Sequence, residues 1–303
     1  MMEVGMVGLG KMGGNMTVRL VKGGHRVVGF ARAKPVVDAV VRQGAVGADS
    51  LANLVSQLAK PRVVWLMIPS GPTVDQTLEA LRPLLAPGDL IVDGGNSYYK
   101  DTLRRAAQVA GWGFSYVDVG TSGGIWGLTE GYSMMVGGSP ADVERIRPIL
   151  VTLAPGPDRG WGRVGPVGSG HFVKMVHNGI EYGLMQSYAE GLSVIGAKGE
   201  FALDLHQVTE IWRYGSVVRS WLLELTESAL AENPTLAGIE PWVEDSGEGR
   251  WTVTEALDLN IPAPVITLAL QQRLRSREAN PFTERLLAMM RNKFGGHAVK
   301  EAP

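Results

Sequence analysis

Four polar side chains recur at helical spacing in the stretch Gly168-Ser169-Gly170-His171-Phe172-Val173-Lys174-Met175-Val176-His177-Asn178-Gly179-Ile180-Glu181-Tyr182. Lys174, His177, Asn178 and Glu181 stand at i, i+3, i+4 and i+7. Seven residues turn an α-helix by about 700°, so the four share one stripe. Phe172, Val173, Met175, Val176 and Ile180 fill the flanking faces. A polar row on so apolar a helix is expected to be buried rather than solvated. Lysine withdrawn from water gives up its proton more readily and can serve as a base near neutrality. A desolvated glutamic acid holds its proton and can serve as an acid. The stripe therefore predicts an acid/base pair, Lys174 and Glu181. A buried structural Lys–Glu ion pair is the alternative.

A second constellation lies at the start of the chain. Gly8-Leu9-Gly10-Lys11-Met12-Gly13 is a G-x-G-x-x-G loop directly after the apolar run Val4–Gly8 and before a helical pattern. The first glycine permits the tight turn. The second lets a pyrophosphate approach the backbone, and the third lets helix and strand pack closely. The helix N-terminus offers free N–H donors to the phosphates. In this strand–loop–helix context the motif predicts a dinucleotide site at residues 8–13. At the end of the second strand, where NAD enzymes usually carry an acid, the residues are Phe30-Ala31-Arg32-Ala33-Lys34. Arg32 and Lys34 could accept a 2′-phosphate, which favours NADP slightly while leaving NAD possible.

Further polar clusters fall where strands end. Asp93-Gly94-Gly95-Asn96-Ser97 places Asn96 at a carboxyl strand end, the layer where open parallel sheets bind ligands. Ser97 could equally cap a helix. Gly120-Thr121-Ser122-Gly123-Gly124 ends the next strand, and two glycines after a serine suit close backbone approach to a ligand. Toward the C-terminus, Arg250, Arg273, Arg291 and His297 have little acidic company and suggest anion recognition. Each alone reads as a surface charge.

The elements that must position these groups follow from the hydrophobic pattern. Strands are expected at Val4–Gly8, Arg26–Phe30, Val63–Ile68, Asp89–Asp93, Ser115–Val119 and Tyr132–Val136. Helices between them at about 12–22, 35–43 and 74–84 make βαβ units and a parallel sheet. Helices should cover both faces, because the strands are apolar without alternation. Glycine and proline punctuate Gly156–Gly170, and beyond it the pattern is helical. Phe172–Lys198 contains no proline and reads as one long helix. More helices are expected at about 205–213, 217–230, 252–259, 265–275 and 283–293. The fold class is thus α/β: a Rossmann-like doubly wound sheet over 1–165, then an all-α domain over 166–303.

Composition narrows the function classes. The 303 residues carry 29 Lys plus Arg against 30 Asp plus Glu, a net charge of −1, which argues against a general nucleic-acid binder. There is no cysteine, so disulfides, thiolate metal sites and a Cys nucleophile are excluded. No apolar run approaches the roughly 18 residues of a membrane helix. Met1-Met2-Glu3 shows no basic leader before the first strand. A cytoplasmic protein with no membrane partner is expected.

Together these segments resemble the 6-phosphogluconate dehydrogenases in their short bacterial form, within the β-hydroxyacid dehydrogenase superfamily. The motifs are GLGKMG at 8–13, DGGNS at 93–97, TSGG at 121–124, GHFVKMVHNGIEY at 170–182, GRWT at 249–252 and RNKFGGH at 291–297. The resemblance implies a substrate, 6-phosphogluconate, oxidised and decarboxylated to ribulose 5-phosphate and CO2 with reduction of NAD(P) and no metal. Lys174 would be the base and Glu181 the acid. Asn96, Ser122, Gly123, Gly124, His177 and Asn178 would hold the sugar acid. Tyr182, Arg250, Arg273, Arg291 and His297 would hold its phosphate. Gly8, Leu9, Gly10, Lys11, Met12, Gly13, Arg32, Ile68, Pro69, Ser70 and Asn96 would meet the cofactor. A homodimer or higher homo-oligomer is implied as well. The alternatives are a 3-hydroxyacid dehydrogenase acting without phosphate, or a dinucleotide-binding regulator without catalysis. The first has no need of Glu181 or the Arg/His tail, and the second no need of both an acid and a base.

Overall fold

The structure is a computed structural model describing residues 1–279, 281–295 and 298–300. Strand β1 (Glu3–Val7) leads into α1 (Lys11–Lys22), β2 (Arg26–Phe30) into α2 (Lys34–Val41), and the short β3 (Val46–Ala48) into α3 (Leu51–Ser56). Then come β4 (Val63–Leu66), α4 (Pro72–Leu81), β5 (Leu90–Asp93), α5 (Tyr99–Gly111) and β6 (Ser115–Ser122). A 3-10 turn and α6 (Gly127–Glu130) connect to β7 (Ser133–Gly137), followed by α7 (Pro140–Leu153) and β8 (Trp161–Gly165). Next are α8 (Ser169–Ala197), α9 (Leu205–Trp212) and α10 (Trp221–Glu232). The last helices are α11 (Glu248–Asp258), α12 (Pro264–Arg275) and α13 (Phe282–Gly295).

The eight strands form one sheet in the order β3-β2-β1-β4-β5-β6-β7-β8. Neighbours from β3 to β6 are parallel. Here the expectation of a parallel sheet needs correction, because β7 runs antiparallel to β6. The reason is chain length: a parallel crossover takes a dozen or more residues, and the link 123–132 is too short for one. Two strands were also not expected. β3 has three residues, and β8 (Trp-Gly-Arg-Val-Gly) lies among the glycines that read as a boundary.

Successive residues of each buried strand feed opposite faces. Val4, Met6, Val27, Val63, Trp65, Leu90, Val92, Val117 and Val119 pack with α1, α2 and α7. Val7, Val28, Val64, Leu66, Ile91 and Tyr116 pack with α3, α4 and α5. The runs are apolar without alternation because both faces are covered, as in a doubly wound sheet. On the second face the fully buried Arg105 of α5 pairs with Asp75 of α4 through Nε and Nη2, each 3.0 Å from a carboxylate oxygen. This hydrogen bond is the main reason the Asp75 carboxyl sits below its usual range. A lowered folded value means the pair stabilises fully above about pH 4 and is lost as pH falls through the lowered value. Asp75→Asn is therefore expected to flatten the acid-side loss of stability, followed as melting temperature against pH.

The chain divides into two compact units, Met1–Asn178 and Gly179–Pro303, and the division falls within α8. The first turns of that helix belong with the sheet because glycines let them approach. A Cβ at Gly120 would lie 2.4 Å from Lys174 Cβ and 2.5 Å from the Gly170 carbonyl oxygen. One at Gly170 would lie 2.4 Å from the Met135 carbonyl oxygen. Buried Asp118 of β6 fixes the same turn, accepting from the backbone N–H of Gly168 at 2.7 Å and of His171 at 2.8 Å. In the second unit, Tyr182, Ala269 and Leu270 form the buried cluster, with Val253 against it.

Candidate active site

The glycine loop is built as its spacing requires. Gly8 has φ +96°, a conformation that glycine tolerates, and its N–H donates to the Phe30 carbonyl. A Cβ at Gly13 would stand 2.0 Å from the Gly8 carbonyl oxygen, so α1 rests on the loop backbone itself. Around Gly10 there is nothing within 4 Å of a Cβ position. Gly10 caps α1 without a side chain, leaving the first-turn N–H groups open to a ligand. Beside the loop lies a cavity of about 1090 Å³ lined by Gly8, Leu9, Gly10, Lys11, Arg32, Ile68 and Pro69, among others. Met12 instead packs toward the core, Gly13 is buried, and Ser70 and Asn96 are not in the cavity's lining. Gly10→Ala is expected to leave melting within about 1 °C, because the backbone is extended and the space empty. It should weaken dinucleotide binding at least about tenfold, read by equilibrium titration, because the methyl takes the phosphate's place.

At the ends of β5 and β6, buried acids set the loops. Asp93 accepts from Gly95 N at 3.2 Å, Ser97 Oγ at 2.8 Å and Tyr116 Oη at 3.1 Å. Ser97 is thereby spent on shaping the turn that carries half-buried Asn96. Burial, reinforced by the Asp93 carboxylate, pushes the Tyr116 phenol well above its ordinary value, so it stays a donor. Burial likewise raises the Asp118 carboxyl, against the pull of His171. His171 Nδ1 lies 2.7 Å from Thr102 Oγ1, which ties α8 to α5. Ser122 and Gly123 are half-buried. Gly123 and Gly124 have φ of +133° and +52°, so this loop turns as only glycines readily allow.

Lys174 is 5% exposed. Its Nζ lies 3.4 Å from His177 Nδ1, and that nitrogen is 3.0 Å from Asn178 Oδ1. The ring nitrogen can accept from Lys174 or donate to Asn178, so its proton decides which neighbour it holds. The first unit thus brings Lys174, His177 and Asn178 together.

The second unit gathers another group. Tyr182 is buried, and the Arg273 guanidinium lies 3.4 Å from its ring centroid. Gly249 packs against the same ring, since a Cβ there would stand 2.4 Å from it. Arg250 Nε donates to Asp245 Oδ2 at 2.6 Å, and Tyr182 Oη donates to Asp245 Oδ1 at 3.4 Å. Glu181 is half-buried on α8, and Arg291 is exposed on α13. Ile180, expected on a buried face, is 52% exposed, because this unit leaves much of its apolar helix surface uncovered. His297 lies outside the described residues. Among the described residues no group of three or more His, Asp or Glu could hold a metal, and no helix is long and apolar enough to cross a membrane.

Sequence reasoning did not single out Asp118, His171 or Asp245. For Asp118 a signal existed: an acid inside the apolar run Tyr116–Val119 must find buried partners. Asp245 gave none: Gly247 and Arg250 lie near it in the chain, but Tyr182, the third group it holds, is 63 residues away.

Residues 3–162 match the family described as the NAD binding domain of 6-phosphogluconate dehydrogenase, and residues 170–285 its C-terminal domain. An NAD(+)-dependent, decarboxylating 6-phosphogluconate dehydrogenase of Haloferax volcanii is 44% identical over 299 residues, 98% of either chain. A decarboxylating 6-phosphogluconate dehydrogenase of Synechococcus elongatus is 37% identical over 90% of this chain and 61% of its own length. Among solved structures, Plasmodium falciparum 6-phosphogluconate dehydrogenase, described as apo, with NADP+ and with 6-phosphogluconate, gives a TM-score of 0.84 at 29% identity. That match covers 99% of this chain and 66% of the Plasmodium chain. On these matches the chain belongs to the 6-phosphogluconate dehydrogenase family.

Proposed function

We propose that the protein oxidises and decarboxylates 6-phosphogluconate to ribulose 5-phosphate and CO2, reducing NAD(P). The observation that carries this reading is Lys174: a lysine 5% exposed, held against β6 by the missing side chain of Gly120, beside His177 and on one helix with Glu181. Loop 8–13 and its cavity fit a dinucleotide, whose nicotinamide supplies a hydride acceptor at C4. Lys174 takes the proton of the C3 hydroxyl as C3 gives up its hydride. The resulting 3-keto acid loses CO2, and Lys174 returns its proton to the developing oxyanion. Glu181 then protonates C1 of the enediol. Asn96, Ser122, Gly123, Gly124, His177 and Asn178 hold the sugar acid. Tyr182, Arg250, Arg273, Arg291 and His297 hold the phosphate. The paired arginines of the second unit favour this substrate over an unphosphorylated 3-hydroxy acid.

The test is reduced-nicotinamide absorbance with 6-phosphogluconate and, separately, gluconate, each with NAD and NADP. Turnover of the phosphorylated acid alone is expected. Equal turnover of gluconate, or none of either by folded, cofactor-binding protein, would reject the reading. For the cofactor, the chain's own residues favour NADP. No acid ends β2, Arg32 is exposed at the cavity, and Lys34 is engaged with Asp38 at 2.7 Å. The NAD(+)-dependent Haloferax relative is the reason to assay both. Arg32→Ala should raise KM for NADP about tenfold and leave NAD nearly unchanged. An equal effect on both would remove Arg32 as the reader of the 2′-phosphate.

A homo-oligomer belongs to the same proposal. Ile180, Val194, Val217, Leu257, Val265 and Phe282 are each more than half exposed in the second unit, more apolar surface than a monomer usually shows. Light scattering would report a monomer if this is wrong.

A further inference from the structure

We infer that Asp245 is the positioning residue of the phosphate end of the site and acts there through Arg250; the inference rests on the phosphate-binding reading above. A carboxylate is the wrong charge for a group meant to bind a phosphate dianion, so its place there needs a reason. Its surroundings supply one. The Asp245 side chain is 2% exposed, whereas that of Arg250 is 51% exposed. Its Oδ2 accepts from Arg250 Nε at 2.6 Å, and its Oδ1 from Gly247 N at 3.1 Å and Tyr182 Oη at 3.4 Å. One buried carboxylate therefore fixes a turn, a phenol and a guanidinium at once.

The choice of nitrogen matters. A guanidinium has a fork of donors. Held by Nε, Arg250 keeps both terminal Nη groups for a second acceptor, and neither makes a hydrogen bond to a described residue. The preceding residue does the same for the other arginine: the Glu244 carbonyl accepts from Arg273 Nη1 at 2.9 Å while that guanidinium lies on the Tyr182 ring. Two adjacent residues thus hold two like-charged side chains near one phenol. Asp245 also offsets the repulsion that gathering two cations creates. With its rotamers already restricted, the pair loses less entropy when a phosphate arrives.

Charge and position predict opposite signs, which makes the inference testable. Asp245→Asn removes a negative charge and keeps the shape. If the carboxylate acted only through its charge, phosphate affinity would improve. If it positions Arg250, KM for 6-phosphogluconate rises about tenfold, more than kcat falls, and the inhibition constant of inorganic phosphate rises with it. Unchanged or lower KM overturns the inference. Coupling is read in an Arg250→Ala background, where adding Asp245→Asn should change KM by less than about twofold. Multiplicative effects would show that Asp245 acts apart from Arg250 and overturn the inference as well. Asp245→Glu, which keeps the acceptor, should recover part of the affinity if the asparagine variant folds poorly; no recovery in a folded Glu variant counts against positioning. Arg250→Ala by itself separates the two layers. If it leaves KM unchanged, the phosphate-site reading fails. If it raises KM while Asp245→Asn does not, only the positioning role fails.

Discussion

Lys174→Met is expected to lower kcat with 6-phosphogluconate by about 10²–10⁴, while the dissociation constant for NAD(P) stays within about twofold. Methionine keeps the length and the apolar stem, so the close approach of α8 to Gly120 survives and the effect isolates the amine. A general base acts on the proton that must leave before or with the hydride. Its loss therefore slows the sequence at the first chemical step, and reduced nicotinamide forms without a burst even in the first turnover. The cofactor loop lies on other elements, β1 and α1, and should not register the change. The opposing view is that Lys174 is half of a buried ion pair. That view predicts a different pattern: Lys174→Met and Glu181→Gln each lower the melting temperature, and the double variant regains it. Normal turnover by folded Lys174→Met protein would remove the base assignment altogether.

Much of what positions this lysine was legible in the chain. The expected helix 172–198 and the observed Ser169–Ala197 differ by a few residues, because nothing in that stretch interrupts helical spacing and no proline breaks it. The five later helices were legible for the same reason. The G-x-G-x-x-G loop was readable because each glycine answers a local demand, one of φ, one of open space and one of contact. What the pattern hid were features set by partners far along the chain. β8 forms because β7 offers it an edge, not because Trp-Gly-Arg-Val-Gly favours a strand. The antiparallel β7 depends on the length of a link, which apolar periodicity does not record. Asp245 is defined by the phenol, N–H and guanidinium groups that reach it, so its role appears only after folding, and for Asp118 the sequence signals burial but not which N–H groups it holds. Gly120 is a similar case: it read as part of a ligand-binding turn, and its Cα faces the Lys174 stem instead.

Glu181→Gln should separate the two chemical roles that Lys174→Met merges. The amide preserves size and hydrogen bonding but has no carboxyl proton to give. Removal of the C3 proton and hydride by way of Lys174 remains possible, and so does loss of CO2. What fails is protonation of C1 of the enediol. Steady-state kcat is expected to fall about 10²–10³, within the range for loss of a general acid. Yet rapid mixing should still show a burst of reduced nicotinamide of about one per active site, followed by slow turnover. The contrast with the burst-free Lys174 variant assigns the steps in order. If Glu181→Gln shows no burst, the residue acts before or during hydride transfer. If instead KM rises and kcat is untouched, Glu181 is a substrate ligand only, and the acid must be sought among the other groups on the α8 stripe, with His177 the first to test.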